Sequence, residues 1–188
     1  MSAPDADIHY ARVGDINIAY RWDGLSDGPV VMMAHAMGTS HRLWDWQLSA
    51  LASRFRVLRY DWRGHGNTDA PPGPYSLPQF EQDAVGLMDA LGLERVHWVG
   101  ISTGGMIGQG LGINHGARVA SLALCNTTSL ASEWYKEWVK ERQAVVKSSG
   151  PSFEFVGGRS TVYTGIALPS TRVLIVIRER WPWMVLRT

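Results

Sequence analysis

At 188 residues, with 45% hydrophobic and 19% charged residues, the chain has the length and apolar content of one globular domain and excludes a disordered segment. Its 18 basic and 17 acidic residues leave a formal charge of +1, which excludes a strongly basic nucleic-acid binder and an acidic tail. The single cysteine, Cys125, excludes an internal disulfide framework, and no Cys/His cluster has metal-ligand spacing, so neither metal nor cofactor is expected.

The first seven residues, Met1 to Asp7, carry neither the basic region nor the apolar core of a secretory signal. No apolar run approaches the ~20 residues of a membrane helix, so a cytoplasmic protein without membrane or nucleic-acid partners is expected. Ile8, Tyr10 and Val13, then Ile16, Ile18 and Tyr20, alternate on either side of Gly14-Asp15 and predict a β-hairpin. Val30 to Ala34 is unbroken apolar sequence, the pattern of a strand buried on both faces. Trp44, Leu48, Leu51 and Phe55 have helical spacing, and Val57 to Tyr60 reads as the next strand. Ser76 and Gln79 predict a capping box opening a helix with Pro78 in its first turn. Phe80, Ala84, Leu87 and Leu91 give that helix one apolar face, and Gly92 ends it. A strand at Val96 to Val99, a glycine-rich helix from Gly104 to about His115, and a strand at Val119 to Cys125 follow.

The middle of the chain thus reads β-α-β-α-β-α-β, which predicts an α/β fold with a mainly parallel, doubly wound sheet behind the N-terminal hairpin. Composition shifts near 132. Glu133 to Lys147 is amphipathic, Ser148 to Ser170 is loop-like, and Val173 to Ile177 is one more apolar strand. The expected organisation is a core over 1–132, a lid-like segment over 133–170, and a late strand with its tail over 171–188.

In an open parallel sheet, sites form beyond the carboxyl ends of the strands. Gly100-Ile101-Ser102-Thr103-Gly104 follows one such strand and opens a helix, the G-x-S-x-G pattern. It demands a sharp strand-to-helix turn that projects the Ser102 hydroxyl above the sheet, while Gly100 and Gly104 leave room for the close crossing. Ser102 is therefore the candidate nucleophile. Acyl transfer also needs backbone N–H donors at the developing oxyanion. The Thr103 amide is one candidate, and Met37, in His35-Ala36-Met37-Gly38 after the neighbouring strand, is the other. Asp61 and Arg63, in the run to Thr68, are expected to tie down a tight loop beside the site, with His65 packed there.

Together, and in this order, His35-Ala36-Met37-Gly38, Asp61-x-Arg63-Gly64-His65-Gly66 and Gly100-Ile101-Ser102-Thr103-Gly104-Gly105 resemble the α/β-hydrolase superfamily. The stretches Val31 to Trp46, Phe55 to Asp61, Pro71 to Tyr75 and Leu124 to Thr127 are most similar to 3-oxoadipate enol-lactonases. The resemblance implies a hydrolase acting on a small-molecule lactone or carboxylic ester in aromatic-acid breakdown. It also implies a triad in the order serine, carboxylate, histidine. The histidines are His9, His35, His41, His65, His97 and His115, so none occupies the superfamily's late position. The carboxylate is expected near Trp181, where Glu179 is the nearest candidate though offset, and Trp134 is a candidate lining residue of the pocket. Set against the superfamily, the resemblance implies a shortened lid and the absence of the last strand and helix, and a deletion or a shifted reading frame is the expected cause. That leaves a sheet edge open to self-association. Two rivals follow from the same gaps: a non-catalytic remnant or binding protein, and a cofactor-free haloperoxidase or perhydrolase on the same scaffold.

Overall fold

The computed structural model describes residues 7–129 and 174–177, with scattered helical positions between 137 and 148. The chain divides into two compact units, 1–127 with 173–188 and 128–172, and the described strands all belong to the first. Most of the segment from Glu133 to Lys147, together with Trp134 and Glu179, lies outside the described residues.

The hairpin forms as expected from β1 (His9–Val13) and β2 (Ile16–Gly24). β3 (Val30–Ala34), β4 (Arg56–Tyr60), β5 (Val96–Ile101) and β6 (Val119–Cys125) lie parallel in the middle of the sheet. β7 (Leu174–Ile177) pairs with β6, and the full order is β1-β2-β4-β3-β5-β6-β7. The helical stretch expected around Trp44 is mostly a 3-10 turn, His41–Gln47, followed by one α-helical turn, α1 (Leu48–Leu51). α2 (Leu77–Ala90) starts where the sequence signals place it, but only half of the capping box is made. The Ser76 hydroxyl accepts from the Gln79 amide at 3.4 Å. α3 (Thr103–Asn114) follows β5 directly.

The period-two geometry of β3 explains the layering. Met32 and Ala34 face a core shared with Leu58, Tyr60, Trp98 and the apolar faces of α2 and α3. Val31 and Met33 face the opposite side, where Trp44, Phe55 and Val57 cover them. Every residue of β3 is buried, which accounts for its lack of alternation.

The late strand forms where its apolar run predicts, and β7 pairs with β6 antiparallel, with Leu174 opposite Leu124 and Ile177 opposite Ser121, as the last strand of the described sheet. It therefore runs away from the carboxyl edge of the parallel strands, where Ser102 lies.

Candidate active site

Ser102 occupies the single residue between β5 and α3 and has φ 54° and ψ −117°. Such a backbone costs about 1–3 kcal/mol for a non-glycine residue and persists only where its surroundings enforce it. Here they do. The Ser102 amide donates to the Cys125 carbonyl at 3.0 Å, and the Ser102 carbonyl accepts from the Gly105 and Met106 amides and from the Thr127 hydroxyl, the last at 2.8 Å. The turn is thus clamped to the end of β6, whose following residue, Asn126, also takes a positive φ of 44°. A Ser102→Gly substitution is expected to stabilise the fold by about 1 kcal/mol, the relieved strain less the entropy of an added glycine, as measured by urea unfolding.

Gly100 and Gly104 set how closely the turn folds. A Cβ on Gly100 would sit 2.1 Å from the Gly104 carbonyl oxygen. One on Gly104 would sit 2.3 Å from the Ala34 carbonyl oxygen and 2.8 Å from that of His35. The first turn of α3 therefore rests against the end of β3, and the loop after β3 lies beside the turn at Ser102. Thr103 is the first residue of α3, one of those whose N–H has no acceptor within the helix.

In the loop after β3, the Thr39 amide donates to the Ala36 carbonyl at 3.3 Å, closing a four-residue turn. Gly38 has φ 72°, the value that the third position of a type II turn requires and that glycine supplies without strain. Met37 is exposed, and among the described residues its amide has no hydrogen-bond partner. The Gly38 amide instead donates to His65 Nε2 at 3.1 Å.

His35 sits wholly inside, stacked on Trp62 at 5.2 Å between ring centroids. Its Nδ1 donates to the Ala36 carbonyl at 2.8 Å, and its Nε2 accepts from the Trp62 amide at 3.4 Å. Burial holds its pKa down to about 4, against the upward pull of the Ala36 carbonyl and the Asp61 carboxylate. Both ring nitrogens are used and the ring is inaccessible, so His35 is not placed to act as a base for Ser102.

Asp61 is buried too. Burial alone would raise its pKa, but hydrogen bonds from the His41 ring, the Asn67 amide and the His41 amide hold the carboxyl below its usual value. As an ionised acceptor, Asp61 fixes the proton of His41 on Nδ1, 3.0 Å away. Arg63 is also inside, with Nε and Nη2 on the two Asp83 oxygens at 2.8 Å each, and Nη1 and Nη2 on Asp15 at 3.2 and 2.9 Å. The loop after β4 is accordingly a tied structure, as its sequence suggests.

The structure brings Ser102, Thr103, Gly100, Gly104 and the Met37 turn to one edge of the sheet. Three partnerships had no sequence signal beyond proximity to motifs: Thr127 to the Ser102 carbonyl, His41 to Asp61, and His65 to Gly38. Among the described residues no histidine bonds to Ser102. His97 Nδ1 lies 2.8 Å from the Ser121 hydroxyl, and His115 caps the far end of α3.

A strand-turn-helix bearing a strained serine at the carboxyl edge of a parallel sheet is the defining local structure of one class of α/β protein. The family model described as alpha/beta hydrolase fold matches residues 29–149, and the chain belongs to that family. Over 128 residues it is 34% identical to 3-oxoadipate enol-lactonase 1 of Acinetobacter baylyi, covering 68% of this chain and 47% of that protein. It is 42% identical over 99 residues to a putative carbamate hydrolase RutD of Caulobacter segnis, covering 52% and 37%. Among solved structures, the enol-lactonase from Burkholderia xenovorans LB400 matches with a TM-score of 0.71 at 38% identity, covering 76% of this chain and 55% of that one. A hydrolase from Pseudomonas aeruginosa PA01 matches with a TM-score of 0.72 at 37% identity, covering 78% and 55%. The chain spans about half the length of the curated relatives it matches.

Proposed function

We propose that this chain carries the nucleophile half of a serine hydrolase for a lactone or carboxylic ester, with a substrate like 3-oxoadipate enol-lactone. The observation that carries this reading is the backbone of Ser102, a strained non-glycine residue held by the end of β6 where β5 becomes α3. In the proposed step the Ser102 O–H bond breaks and its proton passes to solvent water, the oxygen bonds to the substrate carbonyl carbon, and the carbonyl pair moves onto oxygen. The free amides of Met37 and Thr103 receive that charge. Collapse of the intermediate expels the ring oxygen and leaves an acyl-serine, which water then cleaves. The enolate released takes a proton back from water as it becomes the ketone.

The choice of an enol-lactone has a chemical reason besides the relatives' names. An enol oxygen leaves as a stabilised enolate and ends as a ketone, so its departure needs less help from a protonated base than an alkyl alcohol does. That suits a site in which the described histidines are engaged elsewhere. The same engagement favours a second reading, a chain that binds its ligand at this site without turnover.

The two readings separate in one experiment. Hydrolysis of 3-oxoadipate enol-lactone and p-nitrophenyl acetate is measured for the wild type and Ser102→Ala, alongside labelling by a fluorophosphonate. The hydrolase reading expects both activity and labelling to vanish in Ser102→Ala. Equal rates in the two proteins remove Ser102 from the chemistry, and no turnover with no labelling, in a folded protein that still binds the enol-lactone by calorimetry, supports the binding reading.

A further inference from the structure

We propose that His65 is a positioning residue for the oxyanion-binding turn: its imidazole holds the Gly38 amide and leaves the Met37 N–H as the free donor. This rests on the hydrolase reading for its purpose, though not for the bond itself.

The geometry assigns the ring's proton. A backbone N–H can only donate, so His65 Nε2, at 3.1 Å from the Gly38 nitrogen, is an acceptor. The proton is then on Nδ1, where the Arg63 carbonyl accepts it at 3.3 Å. The ring cannot swing away freely, because it lies over Trp62 at 3.6 Å between centroids. Arg63, whose carbonyl orients it, is itself anchored by Asp83 and Asp15. A rigid chain of contacts therefore runs from α2 and the hairpin turn, through Arg63 and His65, to Gly38.

The turn needs such a hold. The Ala36 carbonyl at its start is held by the Thr39 hydroxyl at 2.7 Å and His35 Nδ1 at 2.8 Å, but these bonds leave the orientation of the central Met37-Gly38 peptide to the long 3.3 Å main-chain bond, and Met37 is exposed. Of the central amides, one is tied by His65 and the other has no partner among the described residues. The tie selects which N–H of the turn is offered to an oxyanion.

The bond is reversible by acid. Protonation adds a second donor at Nε2, facing the Gly38 N–H, and the contact becomes repulsive. The titratable groups facing the His65 ring are Asp61 at the end of β4 and His35, whose ring centroid is 5.4 Å away. The Arg63 guanidinium is engaged by its two carboxylates. Burial lowers the His65 pKa below its ordinary value, with the Arg63 carbonyl and Asp61 opposing, so the ring is neutral near pH 7 and the tie is made there.

The test reads the Gly38 amide in the 15N-labelled full chain, titrated from about pH 8 to about pH 5. The Gly38 amide and the His65 ring protons are expected to move with one midpoint, below ~6.5. At neutral pH, His65→Ala is expected to speed hydrogen exchange at Gly38 about tenfold, the loss of one ordinary hydrogen bond. His65→Gln, whose side-chain oxygen can accept from Gly38, is expected to keep exchange slow while abolishing the titration. A Gly38 resonance that ignores the His65 titration, or exchange unchanged in His65→Ala, overturns the proposal. If His65→Ala fails to fold, the wild-type titration decides alone. p-Nitrophenyl acetate hydrolysis in the same proteins keeps the two inferences apart. A role in the oxyanion turn lowers kcat in His65→Ala with KM nearly unchanged and is rescued by His65→Gln. Absence of any Ser102-dependent hydrolysis, with the Gly38 response intact, fails the hydrolase reading while supporting the tie.

Discussion

Replacing Arg63 by Met is expected to lower the free energy of unfolding by about 3–5 kcal/mol, read from urea unfolding at neutral pH. The reason is the partner left behind. Arg63 and Asp83 have side-chain exposures of 4% and 6%, and Arg63 meets both Asp83 oxygens through Nε and Nη2. Removing the cation strands a carboxylate between α2 and the loop after β4, where water does not reach it. The solvent-facing half of the network is a different matter. Asp15 is 64% exposed, so losing its contact with Arg63 contributes little. The distinction is testable within one set of variants. Asp15→Asn is expected to change stability by less than about 1 kcal/mol. The double variant Arg63→Met, Asp83→Leu is expected to recover most of the loss, because replacing both members of a buried pair by apolar groups removes the stranded charge. A small effect of Arg63→Met alone, comparable with that of Asp15→Asn, would show that water solvates Asp83 and that the network is a surface feature.

This network also shows how far the sequence reaches. The strands β3 and β4 and the helix α2 are legible because burial on both faces of a strand, or on one helical face, writes itself into apolar sequence, whereas glycine-rich α3 is legible only from its place after the turn at Ser102. Ser102 is legible because the turn imposes glycine at two fixed positions, and the Cβ clashes at Gly100 and Gly104 show the physical basis. What periodicity does not encode is pairing across distance. Nothing in the spacing of Arg63 and Asp83, or of Gly38 and His65, says that they meet, since each pair is joined only by the crossing of chain segments 20 or 27 residues apart. Strand polarity is hidden for the same reason. Val173 to Ile177 has the composition of a sheet strand, yet its antiparallel seat on β6 depends on how the preceding chain returns. The 3-10 turn at His41–Gln47 mimics a helix because apolar residues three apart align in both, and the ties to Asp61 and Arg59 select the tighter form. The His41 amide donates to Asp61 at 2.6 Å, and Arg59 Nη1 donates to the His41 carbonyl at 3.3 Å.

Acid is expected to weaken the fold well before carboxylates protonate, and His35 is the cause. Its native pKa is held down to about 4 by burial, whereas an unfolded histidine titrates near 6.5. Between those values the unfolded chain carries a proton that the native state excludes, so stability rises with pH across that window and is flat above it. The full difference, at 1.36 kcal/mol per pH unit, is about 3 kcal/mol lost as pH falls from ~6.5 to ~4. His65, lowered in the same direction, adds to the slope. Asp61 contributes only later, below its ordinary value of 3.8, because its native pKa is also lowered and its stabilisation is lost when it protonates. Urea midpoints measured in steps of pH, with the His35 ring protons followed in parallel, check the order of these events. A stability that stays level between about pH 7 and about pH 5, or a His35 ring that titrates near 6.5, would refute the buried neutral imidazole. The consequence is local before it is global. His35 Nε2 accepts the Trp62 amide and His65 Nε2 accepts the Gly38 amide, so both rings hold the segment after β3 only while they are neutral. Partial acidification should therefore loosen the Met37 turn first, while the sheet and the clamped backbone of Ser102, which rest on apolar burial and amide hydrogen bonds, stay in place.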